Sequence, residues 1–394
     1  MREVVMVSGA RTPIGDFLGI LSKFSAVQLG TFAAADAIRR AGIDPKEIDN
    51  VTGGHCISAG TGGNAARQIQ GRLGVPWKAP GMTLHQACAS SMRALEIAAA
   101  DIMLGRSETA LIIGMESMSQ SPYILKKARL GYRMGDGNDG PLDELTSGTL
   151  ICPIYGHHMG VTAENIAEKY GISREDQDAL AFLSQQRASA ATKNGIWRQE
   201  ITPVEVKTKK GPKIIDFDEH VRDDITLEGL AKLQPAFKKG GTVTPGNASG
   251  LNDGAAAAII MSREKAHSLG LKPICKISAI TSYGVEPEIM GIGPVYAIPK
   301  ALKLAGYELN DVDYYEINEA FAAQCLAVQS ELKIETDKLN ANGSGISLGH
   351  PVGMTGVRLI ISLANELNRR GGKVGVASLC AGMGPAGAAV IEAI

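Results

Sequence analysis

The sequence predicts an α/β fold of two similar halves, each a mixed, mostly parallel sheet layered with helices, plus an inserted loop domain. Apolar runs typical of strands alternate with runs typical of helices, an order that favours parallel strands covered by helices on both faces. In addition, segments from the first part of the chain recur in the last part. Such a recurrence at one fixed spacing indicates an internal duplication.

The repeat is visible in three segments that keep their order. Residues 41–49 (AGIDPKEID) recur as 305–313 (AGYELNDVD), and each copy follows a helical run and precedes a strand-like run. At nearly the same spacing, residues 93–95 match 358–360 inside apolar helical runs, and the strand-like run 109–113 falls near 373–378. One match could arise by chance, but three in order predict two related halves.

These segments suggest the domain boundaries. Residues 1–119 would form the first half, completed by about 250–269, and residues 270–394 the second half. Residues 120–249 would form an inserted domain that covers a site or contacts the substrate. Within it, Ser173 as N-cap and Asp176 three residues later predict a helix through 179–194 that stops at Gly195.

Composition excludes several classes of function. The 394 residues carry 40 basic and 41 acidic side chains, a net charge of -1, so no nucleic-acid partner is expected. No apolar run reaches the roughly 18 residues of a membrane span. The six cysteines form no CxxC pair, which argues against a disulfide framework and a thiolate metal site, and no metal is expected. A strand-like run begins at residue 3, so no targeting segment is predicted and a cytoplasmic location is expected.

Two cysteines stand at positions suited to chemistry. Cys88 lies among small residues just before a helical run, and the unpaired N–H groups of a helix N-terminus favour a thiolate. Cys380 ends a strand-like run ahead of a glycine-rich turn, where α/β sheets usually hold ligands. The alternative for Cys88 is a small apolar filler. The G-x-G-x-x-G match at 382–387 does not predict dinucleotide binding, because Pro385 interrupts it and no helix follows.

A histidine and an asparagine stand at two further junctions. His350 lies in a glycine-dense run before a helix, at the place in the second half that Cys88 occupies in the first. Asn318 follows a strand-like run and precedes a helix. Structural roles remain open alternatives: His350 as a buried structural histidine and Asn318 as an ordinary helix cap.

These segments together resemble the thiolase family along the whole chain. The motifs that carry the resemblance are Cys-Ala-Ser-Ser at 88–91, Asn-Glu-Ala-Phe at 318–321, Gly-His-Pro at 349–351, Cys-Ala-Gly-Met-Gly at 380–384 and the tract 246–255. Five motifs in the family's order are far more specific than any one alone. The resemblance implies the duplicated thiolase-like fold.

The resemblance also implies roles for the reacting groups. Cys88 would take an acyl group from acyl-CoA, and His350 would accept the proton of its thiol. Cys380 would then remove a proton from the methyl carbon of a second acetyl-CoA. His350 and a water on Asn318 would form one oxyanion hole, and the N–H groups of Cys88 and Gly382 the other. Coenzyme A thioesters would be substrates, and no cofactor is implied.

Further positions match the family's substrate contacts. His158 and Met159 match the His-Met pair of members that act on acetoacetyl-CoA. Arg222 would lie beside the adenine end of coenzyme A and Ser249 beside the pantetheine arm, with Phe321 of the Asn-Glu-Ala-Phe motif as another contact. The activity implied is acetyl-CoA C-acetyltransferase, which joins two acetyl-CoA into acetoacetyl-CoA and CoA, or the reverse thiolysis. A homotetramer or homodimer is implied as well.

Three other readings of the sequence remain. One is a 3-ketoacyl-CoA thiolase of broader or longer chain length, and another a non-enzymatic acyl-CoA-binding protein, which should have lost one of the four reacting groups. The third, a decarboxylating ketoacyl synthase, needs a second histidine where Asn318 stands. The chain departs from the family's usual residues at Ala89, Ser344, Met383 and Gly229. These positions are expected to line the pocket, so they leave substrate size open.

Overall fold

A computed structural model describes residues 2–135 and 140–394. The strands are β1 (Val4–Arg11), β2 (Gly15–Asp16), β3 (Asn50–Gly54), β4 (Gly81–Leu84), β5 (Thr109–Ser117), β6 (Tyr123–Ile124), β7 (Leu142–Asp143), β8 (Val204–Thr208), β9 (Gly211–Ile215), β10 (Asn252–Ser262), β11 (Cys275–Gly284), β12 (Tyr314–Ile317), β13 (Val374–Cys380) and β14 (Pro385–Ala393). The α-helices are α1 (Ala26–Ala41), α2 (Ala65–Leu73), α3 (Ser90–Met103), α4 (Met159–Tyr170), α5 (Arg174–Lys193), α6 (Leu227–Ala231), α7 (Arg263–Ser268), α8 (Gly293–Ala305), α9 (Ala322–Leu332), α10 (Gly345–Leu348) and α11 (Thr355–Arg370).

The strand order repeats between the halves. In the first half the order is β1-β10-β5-β3-β4, and in the second it is β11-β14-β13-β12, followed by a parallel bridge from Tyr315 to Leu339 where a fifth strand would lie. Corresponding neighbours run in the same relative direction in both halves. Antiparallel pairing of β1 with β11 joins the halves edge to edge. The predicted duplication and the α/β class are confirmed.

The expectation that most strand pairs are parallel is wrong. In the part of the chain that the structure describes, the large sheet has three parallel pairings and six antiparallel ones. The physical reason is visible at the turn between β13 and β14. Parallel neighbours need a crossover of a dozen or more residues, and only 381–384 separate these strands, so β14 must run antiparallel.

Two helices from corresponding positions meet in the middle of the molecule. Residues of α3 and α11 share one hydrophobic core with strands of both halves, whereas α1 and α8 contribute to separate cores, one in each half. A Cβ on Gly356 would lie 2.4 Å from the backbone nitrogen of Met92, so glycine is required where α11 approaches α3. The Ser91 hydroxyl bridges the same junction, because it donates to the Met354 carbonyl and accepts the N–H of Val357. The N-termini of both helices are thereby held side by side.

The inserted segment adds two small antiparallel strand pairs, β6–β7 and β8–β9, and helices α4, α5 and α6. The predicted cap is present: the Ser173 hydroxyl accepts the Asp176 N–H, and the Asp176 carboxylate accepts the Ser173 N–H, so α5 starts at Arg174. Strand β10 returns to the first half, between β1 and β5. No helix among the described residues has the length and apolar character that a membrane crossing requires.

Candidate active site

One cavity of about 790 Å³ gathers nearly all the predicted site residues. Those that line it are Cys88 from the first half, His158, Met159, Arg222 and Ser249 from the inserted segment, and Phe321, His350, Cys380 and Gly382 from the second half. Asn318 is fully buried and lies beside His350. The convergence of both halves on one cavity follows from the side-by-side ends of α3 and α11.

Cys88 lies just before α3, two residues ahead of its first residue Ser90. The nearby backbone N–H groups of Gly382 and of Cys88 itself favour the thiolate, but burial has the larger effect and raises the pKa of the Cys88 thiol to about 11. Removal of the thiol from water thus outweighs these N–H groups and keeps the thiol protonated in the resting state. A base must take the proton when the sulfur reacts.

His350 lines the same cavity as Cys88 and could supply a base. Burial, with a smaller contribution from the charge of Arg358, lowers the pKa of His350 to about 3, so its ring is neutral at physiological pH. The Nδ1 atom lies 2.6 Å from the Thr355 hydroxyl, which donates to the Pro351 carbonyl at 3.0 Å. We assign the proton to Nδ1, because the Thr355 oxygen then accepts from the ring while its own hydrogen goes to Pro351. This tautomer leaves the Nε2 lone pair available. The backbone N–H of His350 donates to the Asn252 amide oxygen at 2.8 Å.

Cys380 ends β13, as predicted, and is almost fully buried. Burial and the nearby sulfur of Cys88 both raise the pKa of the Cys380 thiol. Its apolar surroundings include Met159, Met290 and Phe321. A thiolate formed there would be a strong base, because it lacks the solvation that stabilises a thiolate in water.

Asn318 does not line the cavity wall. The expectation that Ala89, Ser344 and Gly229 line the pocket is wrong, because none of the three is part of the wall. The amide nitrogen of Asn318 lies 3.4 Å from both ring nitrogens of His350. Its amide oxygen is buried and has no hydrogen-bond partner among the residues that the structure describes. Because buried polar groups are normally hydrogen-bonded, this amide is suited to hold a water or a substrate atom.

The predicted substrate contacts form one wall of the cavity. The His158 Nδ1 accepts the Gly160 N–H at 3.0 Å and so caps α4, and burial lowers the pKa of His158. Its ring stacks on Phe237 with centroids 4.7 Å apart, and Phe237 meets Phe321 edge to face at 6.2 Å. Ser249 donates its N–H to the Ala320 carbonyl. This wall is aromatic and apolar with few polar groups, as in most small-molecule sites.

Sequence reasoning missed several residues of the site. Asn252 lies in the 246–255 tract and Thr355 only five residues after His350, so their proximity in the chain was a usable signal. For Phe237 and Met290 the sequence contains no such signal, because they come to the cavity from segments distant in the chain.

Glu116 was also missed, because distant segments of the chain bring its partners together. Its side chain holds two loops of the site in place. Its buried carboxylate accepts the N–H groups of Cys56, Ile57 and Gly353 at 3.0–3.1 Å and contacts the His55 ring. Burial opposes ionisation, but the neighbouring His55 and these N–H donors keep the pKa of Glu116 below its ordinary value. One carboxylate thus ties the loop after β3 to the Gly-His-Pro segment.

Within the described residues, no cluster of three or more His, Cys, Asp or Glu side chains is arranged to hold a metal ion. The thiols of Cys88 and Cys380 share this cavity with the neutral imidazole of His350, so both halves of a duplicated α/β fold contribute to one set of reactive groups. Such a set defines the class of protein, an enzyme that transfers acyl groups.

Comparison with known proteins identifies the family. The model "Thiolase, N-terminal domain" matches residues 4–264, and "Thiolase, C-terminal domain" matches residues 271–393. The chain belongs to the thiolase family and is an acyltransferase.

Similar proteins match over their full lengths. An acetyl-CoA acetyltransferase of Chromobacterium violaceum is 48% identical, with 99% of each chain covered. The structure of acetyl-CoA acetyltransferase from Syntrophomonas wolfei is 51% identical with a TM-score of 0.97 and 100% of each chain covered. Human mitochondrial 3-ketoacyl-CoA thiolase is 42% identical with the same TM-score, over 100% of this chain and 99% of that one.

Proposed function

We propose that the protein is an acetyl-CoA C-acetyltransferase that interconverts two acetyl-CoA with acetoacetyl-CoA and free CoA. The observation that carries the proposal is the presence of Cys88, Cys380 and His350 on one cavity. The names of the full-length bacterial relatives support the same reaction. Coenzyme A thioesters are its substrates.

The first step transfers an acetyl group to Cys88. The sulfur attacks the thioester carbonyl while the Nε2 atom of His350 takes the thiol proton, so a new C–S bond forms as the C–S bond to CoA breaks. The departing CoA thiolate takes the proton of Cys380. The intermediate then holds an acetyl-thioester on Cys88, a protonated His350 and a Cys380 thiolate, whose opposite charges balance within the cavity.

The second step forms the carbon–carbon bond. The Cys380 thiolate removes a proton from the methyl carbon of a second acetyl-CoA, and the resulting carbanion attacks the acetyl carbonyl on Cys88. The C–S bond to Cys88 breaks, and His350 returns its proton to the Cys88 sulfur. All three groups are back in their resting protonation states, so the cycle closes; run in reverse, CoA cleaves acetoacetyl-CoA.

Both steps build negative charge on an oxygen, and two groups of donors are proposed to stabilise it. A water held by Asn318, together with protonated His350, would serve the enolate oxygen. The N–H groups of Cys88 and Gly382 would serve the tetrahedral carbon on Cys88. The Gly382 N–H lies close enough to the Cys88 sulfur to favour its thiolate, which supports the second assignment. Loss of one such donor typically costs about 3–4 kcal/mol of transition-state stabilisation.

The remaining predicted residues are proposed to bind the coenzyme A portion. His158, Met159 and Phe321 would contact it on the aromatic wall, Ser249 would contact the pantetheine arm, and Arg222 the adenine end. All five line the cavity, which supports their assignment.

Thiolysis of longer 3-ketoacyl-CoA thioesters is the second candidate. Cys88 packs against an apolar cluster that includes Met118 and Val352, which could hold an alkyl chain on the acylated sulfur. A solved relative, human mitochondrial 3-ketoacyl-CoA thiolase, carries the name of that activity.

Steady-state thiolysis across a chain-length series of 3-ketoacyl-CoA thioesters separates the two candidates. The loss of enolate absorbance with CoA present reports each rate. We expect the highest kcat/KM for acetoacetyl-CoA, with values that fall as the chain lengthens. A maximum at a longer chain would replace the proposal by the second candidate, and no turnover of any member would refute both.

The pH dependence follows from the ring and the thiol. Since the pKa of His350 is about 3 and that of Cys88 about 11, the neutral pair persists across the physiological range. We therefore expect kcat/KM for acetyl transfer to be flat between about pH 5.5 and 8, because this parameter reports the pKa values of the free enzyme. A limb with an apparent pKa near the ordinary 6.5 of histidine would contradict the assignment.

The stability of the fold sets the lowest pH at which these rates can be measured. The folded pKa of His350 lies below its ordinary value of 6.5, so the unfolded chain binds a proton more readily. Its contribution to the free energy of unfolding is therefore complete above about pH 6.5 and decreases as the pH falls towards 3. Circular dichroism at each pH shows whether a decrease in rate is caused by unfolding of the protein.

A homodimer or homotetramer in the cytoplasm completes the proposal. Strand β4 ends the large sheet, and Met82 on it is exposed. An unpaired strand edge with an apolar side chain is suited to contact a second copy.

A further inference from the structure

The turn after Cys380 has an unusual residue at its tightest point. The Gly384 N–H donates to the Ala381 carbonyl at 3.2 Å, and Met383 between them has a φ of 70°. These are features of a type II turn, whose third position favours glycine because other side chains are strained at positive φ. Met383 therefore occupies its position at a cost in stability.

The side chain of Met383 also exposes apolar surface to solvent. It lines the cavity and is 36% exposed, although methionine is apolar. Only five non-glycine residues of the described chain have positive φ, namely Leu18, Ala87, Lys333, Asn340 and Met383. Of these, only Ala87 and Met383 line the cavity, one beside Cys88 and the other beside Gly382. Backbone strain that is concentrated at a site points to a function for the strained residues.

The course of the turn indicates what Met383 meets. Cys380 is 1% exposed at the floor of the cavity, whereas Met383, three residues later, is open to solvent. Between them, the position of a Cβ on Gly382 lies 3.2 Å from the Met159 sulfur, so the turn runs along the wall proposed to contact coenzyme A. A thioester whose carbonyl lies between Cys88 and Gly382 must extend its pantetheine arm from the floor to the mouth past this turn.

We propose that the Met383 side chain is a binding contact for the pantetheine arm of the acyl-CoA substrate. This inference rests on the proposed function, which supplies the ligand. An unbranched thioether can adapt to a flexible chain, and its exposed apolar surface becomes buried when the arm is bound. The strained turn keeps that surface at the mouth of the cavity.

The Met383→Gly variant tests the contact, because glycine suits the backbone and removes only the side chain. We expect KM for acetoacetyl-CoA to rise about tenfold while kcat stays within about twofold, the pattern of lost binding that is equal in ground and transition states. With the N-acetylcysteamine thioester of the same acyl group, which lacks most of the arm, KM should change less than about twofold. Calorimetry should show about tenfold weaker binding of CoA itself.

Lys333→Gly is the matched control. Lys333 also has positive φ, 53°, but it is the C-cap of α9 and does not line the cavity. Both variants should unfold within a few degrees of the wild type, because relief of the strained φ and the greater freedom of an unfolded glycine oppose each other. Lys333→Gly should keep wild-type KM and CoA affinity.

Three outcomes would overturn the inference. They are an unchanged KM for acetoacetyl-CoA, an equal rise for both thioesters, and a fall in kcat, since the last two would mean that Met383 only shapes the turn that carries Gly382. Failure of the proposed function looks different, because the wild type would then not cleave acetoacetyl-CoA at all. In that case the calorimetric ratio of CoA affinities still decides whether Met383 contacts the arm.

Discussion

Replacing Cys88 with alanine should lower thiolysis of acetoacetyl-CoA by at least about 10⁴-fold, with little change in unfolding temperature. The reason is that alanine removes the atom that forms the acyl-enzyme, and a nucleophile's contribution is lost as a unit with that of its base. Cys88 lines the cavity, so the smaller side chain enlarges an existing space and opens no new void in the core. Enolate absorbance gives the rate, and mass spectrometry after mixing with acetyl-CoA shows whether acetyl remains bound to the chain.

Cys275→Ala is the control for this prediction. It makes the same change at a buried thiol on β11, outside the cavity, and should retain wild-type turnover within a few-fold. If Cys88→Ala kept more than about a hundredth of the wild-type rate, or if acetyl appeared on another cysteine of the wild type, Cys88 would not be the nucleophile.

Much of the fold could be read from local sequence. The duplication was visible because the repeated segment 41–49 contains turn and cap residues, whose positions depend on chain geometry rather than on packing. Strand ends at Ile317 and Cys380 were predictable because the polar or glycine-rich residues that follow cannot continue an apolar strand. The same local signals placed Cys88 and His350 ahead of helices in corresponding positions.

The properties that sequence-based prediction missed depend mostly on contacts between distant parts of the chain. The high pKa of Cys88 results from burial beneath residues of the second half and the inserted segment, and no local pattern reports that desolvation. The antiparallel direction of β10 depends on how the chain returns to the sheet after the inserted segment, which the run of elements does not specify. For β14 the short connection 381–384 was a usable signal that the prediction of mostly parallel strands did not take into account. The positive φ of Met383 was likewise invisible, because the residue type argues against it.

The depressed pKa of His350 and the elevated pKa values of both thiols have a common consequence. All three groups rest uncharged, so a buried cavity can hold them without desolvated charge. Charge develops only after acyl transfer, as an imidazolium and a thiolate that stabilise each other. A substitution that keeps one member from ionising should therefore stop the cycle at a defined step.

Cys380→Ser is that substitution. A serine hydroxyl is a much weaker acid than a thiol, so it cannot protonate the departing CoA and then act as the thiolate that removes the methyl proton. We expect acetoacetyl-CoA synthesis to fall by about 10²–10⁴-fold, the usual contribution of a positioned acid or base. Acetylation of Cys88 should persist, because solvent protons can replace Cys380 as the acid for a thiolate leaving group. Mass spectrometry should find acetyl on Cys88 within the time of mixing, while product absorbance stays near background.

Cys152→Ser provides the matched comparison, since it makes the same change of sulfur to oxygen within the same apolar cluster. Cys152 is fully buried in that cluster but does not line the cavity. Its variant should lose stability, because a hydroxyl is buried among apolar groups, yet it should keep acetylation and condensation in their wild-type ratio. Absence of acetyl on Cys88 in Cys380→Ser would reassign Cys380 to the first step. An equal loss of condensation in Cys152→Ser would mean that the polarity of the cluster, rather than the Cys380 thiol, limits the reaction.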